Sequence, residues 1–177
     1  MNNMLEIKAT TLTNANTQVR VWAQSLALIT VIGILPFFIH LQWITGPLVN
    51  AALIVILFLF GRKTAMIAAF VPSIMALSGG LLPIALAPLV PFIIVSNIIL
   101  ILVIERLTKN KSYSLAAISG AVAKFIFLAL SAKIVVMLLQ KAALIKVLST
   151  LFGVTQLYSA LLGGLIALVV LKWMKRV

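Results

Sequence analysis

The sequence predicts an all-α integral membrane protein, a bundle of six membrane-spanning helices with both termini in the cytoplasm. Three observations carry this expectation. Hydrophobic residues make up 64% of the 177-residue chain and charged residues only 9%, with a mean hydropathy of +1.27. A soluble domain carries about a quarter charged residues and has no interior large enough to hide so much apolar surface. After residue 19 the chain falls into six apolar stretches, and a span needs about 20 such residues to cross roughly 30 Å of hydrocarbon. Finally, the fourteen Lys and Arg, set against only Glu6 and Glu105, gather mostly at the ends of these stretches. In a soluble chain a net charge of +12 would suggest nucleic-acid binding. Placed at span ends, it points instead to topology and anionic headgroups, so lipid and not nucleic acid is the expected partner.

Residues 1–19 are polar and rich in Thr and Asn, and read as a cytoplasmic N-terminal segment ahead of a transmembrane domain at 20–177. They hold no apolar core followed by a small-residue cleavage site, so the first span is expected to be an uncleaved anchor. Span 1 is expected at 20–38, ending around Pro36. A short aromatic loop with His40, Gln42, Trp43, Gly46 and Pro47 follows. Span 2 is expected at 48–60, or from Ile44, stopping at Gly61-Arg62-Lys63. Span 3 covers 64–77 and is closed by Ser78-Gly79-Gly80. Both are short, so they should stand upright or be extended by loop residues. Pro83, Pro88 and Pro91 break 81–91 too often for a regular helix throughout. Span 4 is placed at 88–107, span 5 at 113–140 after the basic turn Lys109-Asn110-Lys111, and span 6 at 152–173. No internal repeat is evident.

Orientation follows from the positive-inside rule. With the N-terminus in the cytoplasm, the inner side holds Lys8, Arg20, Arg62, Lys63, Arg106, Lys109, Lys111, Lys172, Lys175 and Arg176, and the outer side only Lys141 and Lys146.

Polar residues inside the spans are where function is sought, because an ammonium at the bilayer centre costs about 2.5 to 3.5 kcal/mol on insertion scales unless it faces protein or water. Lys124 lies near the centre of span 5. It is either a buried structural residue bonded to Asn97 or to carbonyls, or a contact for ligand or partner. Lys133 lies nine residues on, and nine steps of about 100° put it half a turn round from Lys124. It either snorkels to the outer headgroups or provides the counter-charge of an anionic ligand. Asn50 early in span 2, Thr155, Gln156 and Tyr158 early in span 6, and Trp43 and His40 in the first outer loop are expected to line one outward-facing small-molecule pocket. Trp43 also suits the interface irrespective of any ligand. His40, the only histidine, is either solvated in its loop or an axial ligand of a bound haem. A metal site made wholly of protein ligands is not expected from so few donors, and Glu105 is expected to pair locally with Arg106.

Other classes fit less well. With one histidine, two acids and no cysteine, no nucleophile–base pair, carboxylate pair or metal cluster can be assembled at one depth, so an intramembrane enzyme is not expected. Six apolar helices with scant polar lining also make a poor water-filled pore. A scaffold or channel subunit is the alternative reading.

The length, the six spans with both ends inside and the four-spaced Ala23 and Ala27 in the first helix resemble the substrate-binding S component of energy-coupling factor (ECF) transporters. So do Gly46-Pro47-Leu48-Val49-Asn50-Ala51 and the run from Ala87 to Ile93 with Asn97 after it. The resemblance covers most of 20–177 and rests on architecture more than on a diagnostic motif. It implies a plasma-membrane subunit that captures a vitamin or similar micronutrient from outside and docks on a transmembrane coupling subunit driven by two ATPase subunits. Ala23 and Ala27 would then contact the coupling subunit. The absence of G-x-x-x-x-G-K-[ST] agrees with hydrolysis being done by other chains. Within this reading the ligand candidates are Lys133, Asn50, Trp43, His40, Gln156 and Tyr158. Together they suit a carboxylated ring compound, haem with His40 as its ligand included, and no resident cofactor is expected.

Overall fold

A computed structural model describes residues 2–39, 41–80, 82, 84–139 and 152–177. Helices α1 (Asn2–Phe38), α2 (Gln42–Ala68), α3 (Phe70–Ser78), α4 (Val90–Thr108), α5 (Tyr113–Leu139) and α6 (Val154–Trp173) account for nearly all of it, with a 3-10 turn at Ile84–Leu89 before α4. No strand occurs among the described residues. This is the outcome that lipid demands, because a helix satisfies its own backbone polar groups where no water can. Five stretches among the described residues are long and apolar enough to cross a membrane: Gln18–Phe38, Gln42–Ala68, Leu86–Thr108, Tyr113–Val135 and Val154–Trp173.

The expected span boundaries largely hold at α4, α5 and α6, but three features differ. The polar segment 2–19 is not separated from the first apolar stretch, since α1 runs unbroken from Asn2. Spans 2 and 3 are not divided by a loop: regular helix continues on both sides of Gly61, whose backbone alone departs from helical geometry (φ 83°, ψ 174°). Only glycine adopts this conformation readily, because a Cβ would strain it. Finally, Glu105 pairs with Arg62 across the bundle at 3.6 Å rather than with its neighbour Arg106. The proline-rich stretch behaves as its chemistry requires. Pro88 sits in the 3-10 turn, and Pro91 falls in the first turn of α4, where its missing N–H is no loss.

Helix α2 is the centre of the bundle. It packs most extensively on α6 and also on α4 and α1, while α5 bridges α4 and α6, and α3 lies mainly on α1. Leu53, Ile54, Ile56, Leu100, Ile101, Ile104 and Leu171 are fully enclosed at these contacts. Without a strong hydrophobic drive between helices in lipid, close approach through small residues does much of the work. At the α2–α6 seam a Cβ on Gly163 would come within 2.5 Å of the Asn50 Cβ and 2.9 Å of the Pro47 carbonyl oxygen, and one on Gly46 within 2.5 Å of the Ser159 Oγ. The outward faces are apolar: Leu26, Ile67, Ile118, Ile126, Leu165 and Val169 are all exposed. Contiguous patches of this kind mark a surface that is covered, here by acyl chains.

Candidate binding cavity

The site is built around one side chain. Lys124, midway along α5, is 3% exposed and donates from Nζ to the Asn50 Oδ1 and the Asn97 Oδ1, both at 2.6 Å. Asn50 reaches it from α2 and Asn97 from α4, so the lysine ties together three helices. The asparagines are themselves held. Asn50 Nδ2 donates to Ser159 Oγ of α6 at 3.0 Å, and Asn97 Nδ2 donates to Ser73 Oγ of α3 at 3.4 Å and the Ala69 carbonyl at 3.5 Å. All five side chains are at least 97% buried. Buried polar groups persist only when partnered, and no enclosed side-chain nitrogen or oxygen among the described residues lacks a partner.

These bonds fix the direction of the amides. An ammonium only donates, so the two Oδ1 atoms must face the lysine, which leaves each Nδ2 to donate to a hydroxyl or a carbonyl. Among the described side chains no acid pairs with it, since Glu105 pairs with Arg62. The amine is therefore held by dipoles and not by a counter-charge.

Beside this cluster lies a cavity of about 100 Å³. Its polar lining is Lys124, Asn50, Asn97 and Ser73 with Thr45, Gln42 and Gln156, and its apolar lining includes Pro36, Val49, Pro72, Leu82, Ile93 and Phe152. It sits at the end of the bundle where α1 finishes and α2 and α6 begin. Thr45 is held at this rim by donating to the Ile39 carbonyl oxygen at 2.7 Å. The arrangement can bind and orient a small molecule through amide, hydroxyl and amine groups. Among the described residues no three His, Cys, Asp or Glu come together to hold a metal ion.

Of the ligand candidates named from the sequence, Asn50 and Gln156 line this cavity, together with Lys124 and Asn97, which the sequence also singled out. Trp43 and Tyr158 are 60% and 57% exposed on the exterior, and Lys133 is exposed on the face of α5 opposite the buried Lys124. None of the three is part of the cavity wall. His40 lies outside the described residues, as do Lys141 and Lys146. Ala23 and Ala27 are exposed on α1, while Ser25 between them turns inward and donates to the Trp22 carbonyl oxygen at 2.9 Å.

Ser73 and Ser159 were not anticipated. A serine in an apolar span is a weak signal, because it can equally bond its own helix, as Ser96 and Ser131 do to Ile93 and Phe127. Comparison of the chain with protein-family models, with curated proteins and with solved structures yields no match in any of the three.

Proposed function

We propose that this protein is the substrate-capture subunit of an ATP-driven micronutrient importer of the energy-coupling factor type, in the plasma membrane. The observation that carries the reading is a mainly apolar cavity in the helical bundle with a buried cluster of polar side chains, Lys124, Asn50, Asn97 and Ser73, in its lining. Buried polar side chains in a membrane domain are expensive, and their usual role is to meet a solute. Among the described residues no nucleophile–base pair is hydrogen-bonded at the cavity, which favours binding over chemistry.

In this reading the chain crosses the membrane six times with both termini cytoplasmic, turning back at Gly61. Thr45 and Ala76 both line the cavity, although each lies about 23 Å of helix from Gly61, on opposite sides of it. The Arg62–Glu105 pair marks the other end of the bundle, near Lys63, Arg106, Lys109 and Lys111. The positive-inside rule puts that basic end in the cytoplasm and turns the cavity outward.

ATP hydrolysis is assigned to separate chains, with α1 as the docking face for the coupling subunit. Ala23 and Ala27 support this role: they are small, exposed and one turn apart, so another helix can approach closely there. Affinity purification from native membranes should bring down a second membrane protein and two nucleotide-binding chains. Ala23→Trp with Ala27→Trp should abolish that association while leaving the melting temperature unchanged. A wild-type protein that purifies alone, even after cross-linking, would rule the importer reading out in favour of a scaffold.

A further inference from the structure

We infer that the cavity receives the carboxylate of a small monoanionic ligand with a compact apolar body, and that Lys124 is the counter-charge. The inference rests on the capture reading above and names its ligand class. It starts from the imbalance at the site. The Lys124 amine is enclosed by three helices with two neutral amide oxygens and, among the described side chains, no acid bonded to it. Amide dipoles orient a cation but do not neutralise it, and a buried charge is stable only when an opposite charge meets it.

An ammonium has three N–H donors, and among the described residues Asn50 and Asn97 take two. Both asparagines are locked by Ser159, Ser73 and the Ala69 carbonyl oxygen, so they cannot swing away to bind a ligand through their own amide nitrogens. Their function is to hold Lys124 in place. The cavity bordering the amine supplies the room for the missing partner.

Charge and size narrow that partner. Among the described residues one lysine and no arginine line the cavity, which matches a single negative charge and not a phosphate, for which a bidentate fork or several donors is usual. About 100 Å³, with Pro36, Pro72, Ile93 and Phe152 in the lining, suits a short branched chain or a single small ring.

The test uses the full chain in nanodiscs of zwitterionic lipid, titrated by calorimetry with isobutyrate, cyclohexanecarboxylate and benzoate, each against its own uncharged amide. At least one acid should saturate, its amide should bind about tenfold or more weakly, and Lys124→Met should lose the same factor. Asn97→Asp keeps the side-chain shape but gives Lys124 an internal counter-charge. It should melt at a higher temperature than the ligand-free wild type and also fail to bind the acid, which guards against a misfolded Lys124→Met protein.

Saturation by none of the three acids, equal affinity for acid and amide, or wild-type affinity in Asn97→Asp would each overturn the inference. Co-purification with ATPase chains is read separately. An importer that ignores all three acids refutes the ligand class alone, whereas Lys124-dependent acid binding by a solitary protein refutes the importer alone.

Discussion

Lys124 and Lys133 stand nine positions apart on one helix, and their surroundings could hardly differ more. One is enclosed and bonded to two asparagines; the other is exposed on the bundle surface. That divergence was legible in the sequence, because nine helical steps amount to half a turn. The bond to Asn97 was also within reach, since both residues sit at mid-depth on neighbouring spans. The part played by Asn50 was not, because it depends on how α2 and α5 meet across 74 positions of sequence. Asn50→Leu removes one of the two oxygens at Lys124 and strands the Ser159 hydroxyl. It should lower stability by about 1–3 kcal/mol, measured by denaturation in micelles. Combining it with Lys124→Met should recover part of that loss, because no amine is then left under-bonded.

At the scale of elements, hydropathy marked out the spans well, and the basic and proline-rich connectors were placed within a few residues. The stop at Gly61-Arg62-Lys63 was located, but its form was not. A single residue with φ +83° interrupts α2, so no loop is needed, and composition alone cannot reveal a backbone angle. Nothing lies within 4 Å of the position a Cβ would take at Gly61. Gly61→Ala should therefore destabilise through backbone strain alone, by about 1–3 kcal/mol, and should melt with the same helical content as wild type by circular dichroism. The length of α1 was missed for a related reason. Hydropathy reports where a helix enters lipid, not where its hydrogen bonding starts, and Asn2 to Val19 continue the same helix in a polar sequence.

At the scale of the molecule, the assembly of the cavity was the least legible feature. The residue types were recognisable, but among the described residues proposed for a ligand, Asn50 and Gln156 alone line the same cavity. Interfacial aromatics such as Trp43 and Tyr158 have the same sequence signature whether they cover a ligand or face lipid. The orientation is open to direct measurement, and the chain has no cysteine of its own. In intact cells a membrane-impermeant maleimide should label Trp43→Cys and reach Lys109→Cys only after permeabilisation. The reverse pattern would invert the cavity and undo the import direction. The α2–α6 seam also limits how such a receptacle can diversify. Gly46 and Gly163 leave no room for even a methyl group beside Asn50 and Ser159, so that wall is closed to remodelling. Descendants adapted to a bulkier or slimmer guest would have to vary elsewhere in the lining, at Ala76 of α3 or Ile93 of α4, while the α2–α6 seam stayed unchanged.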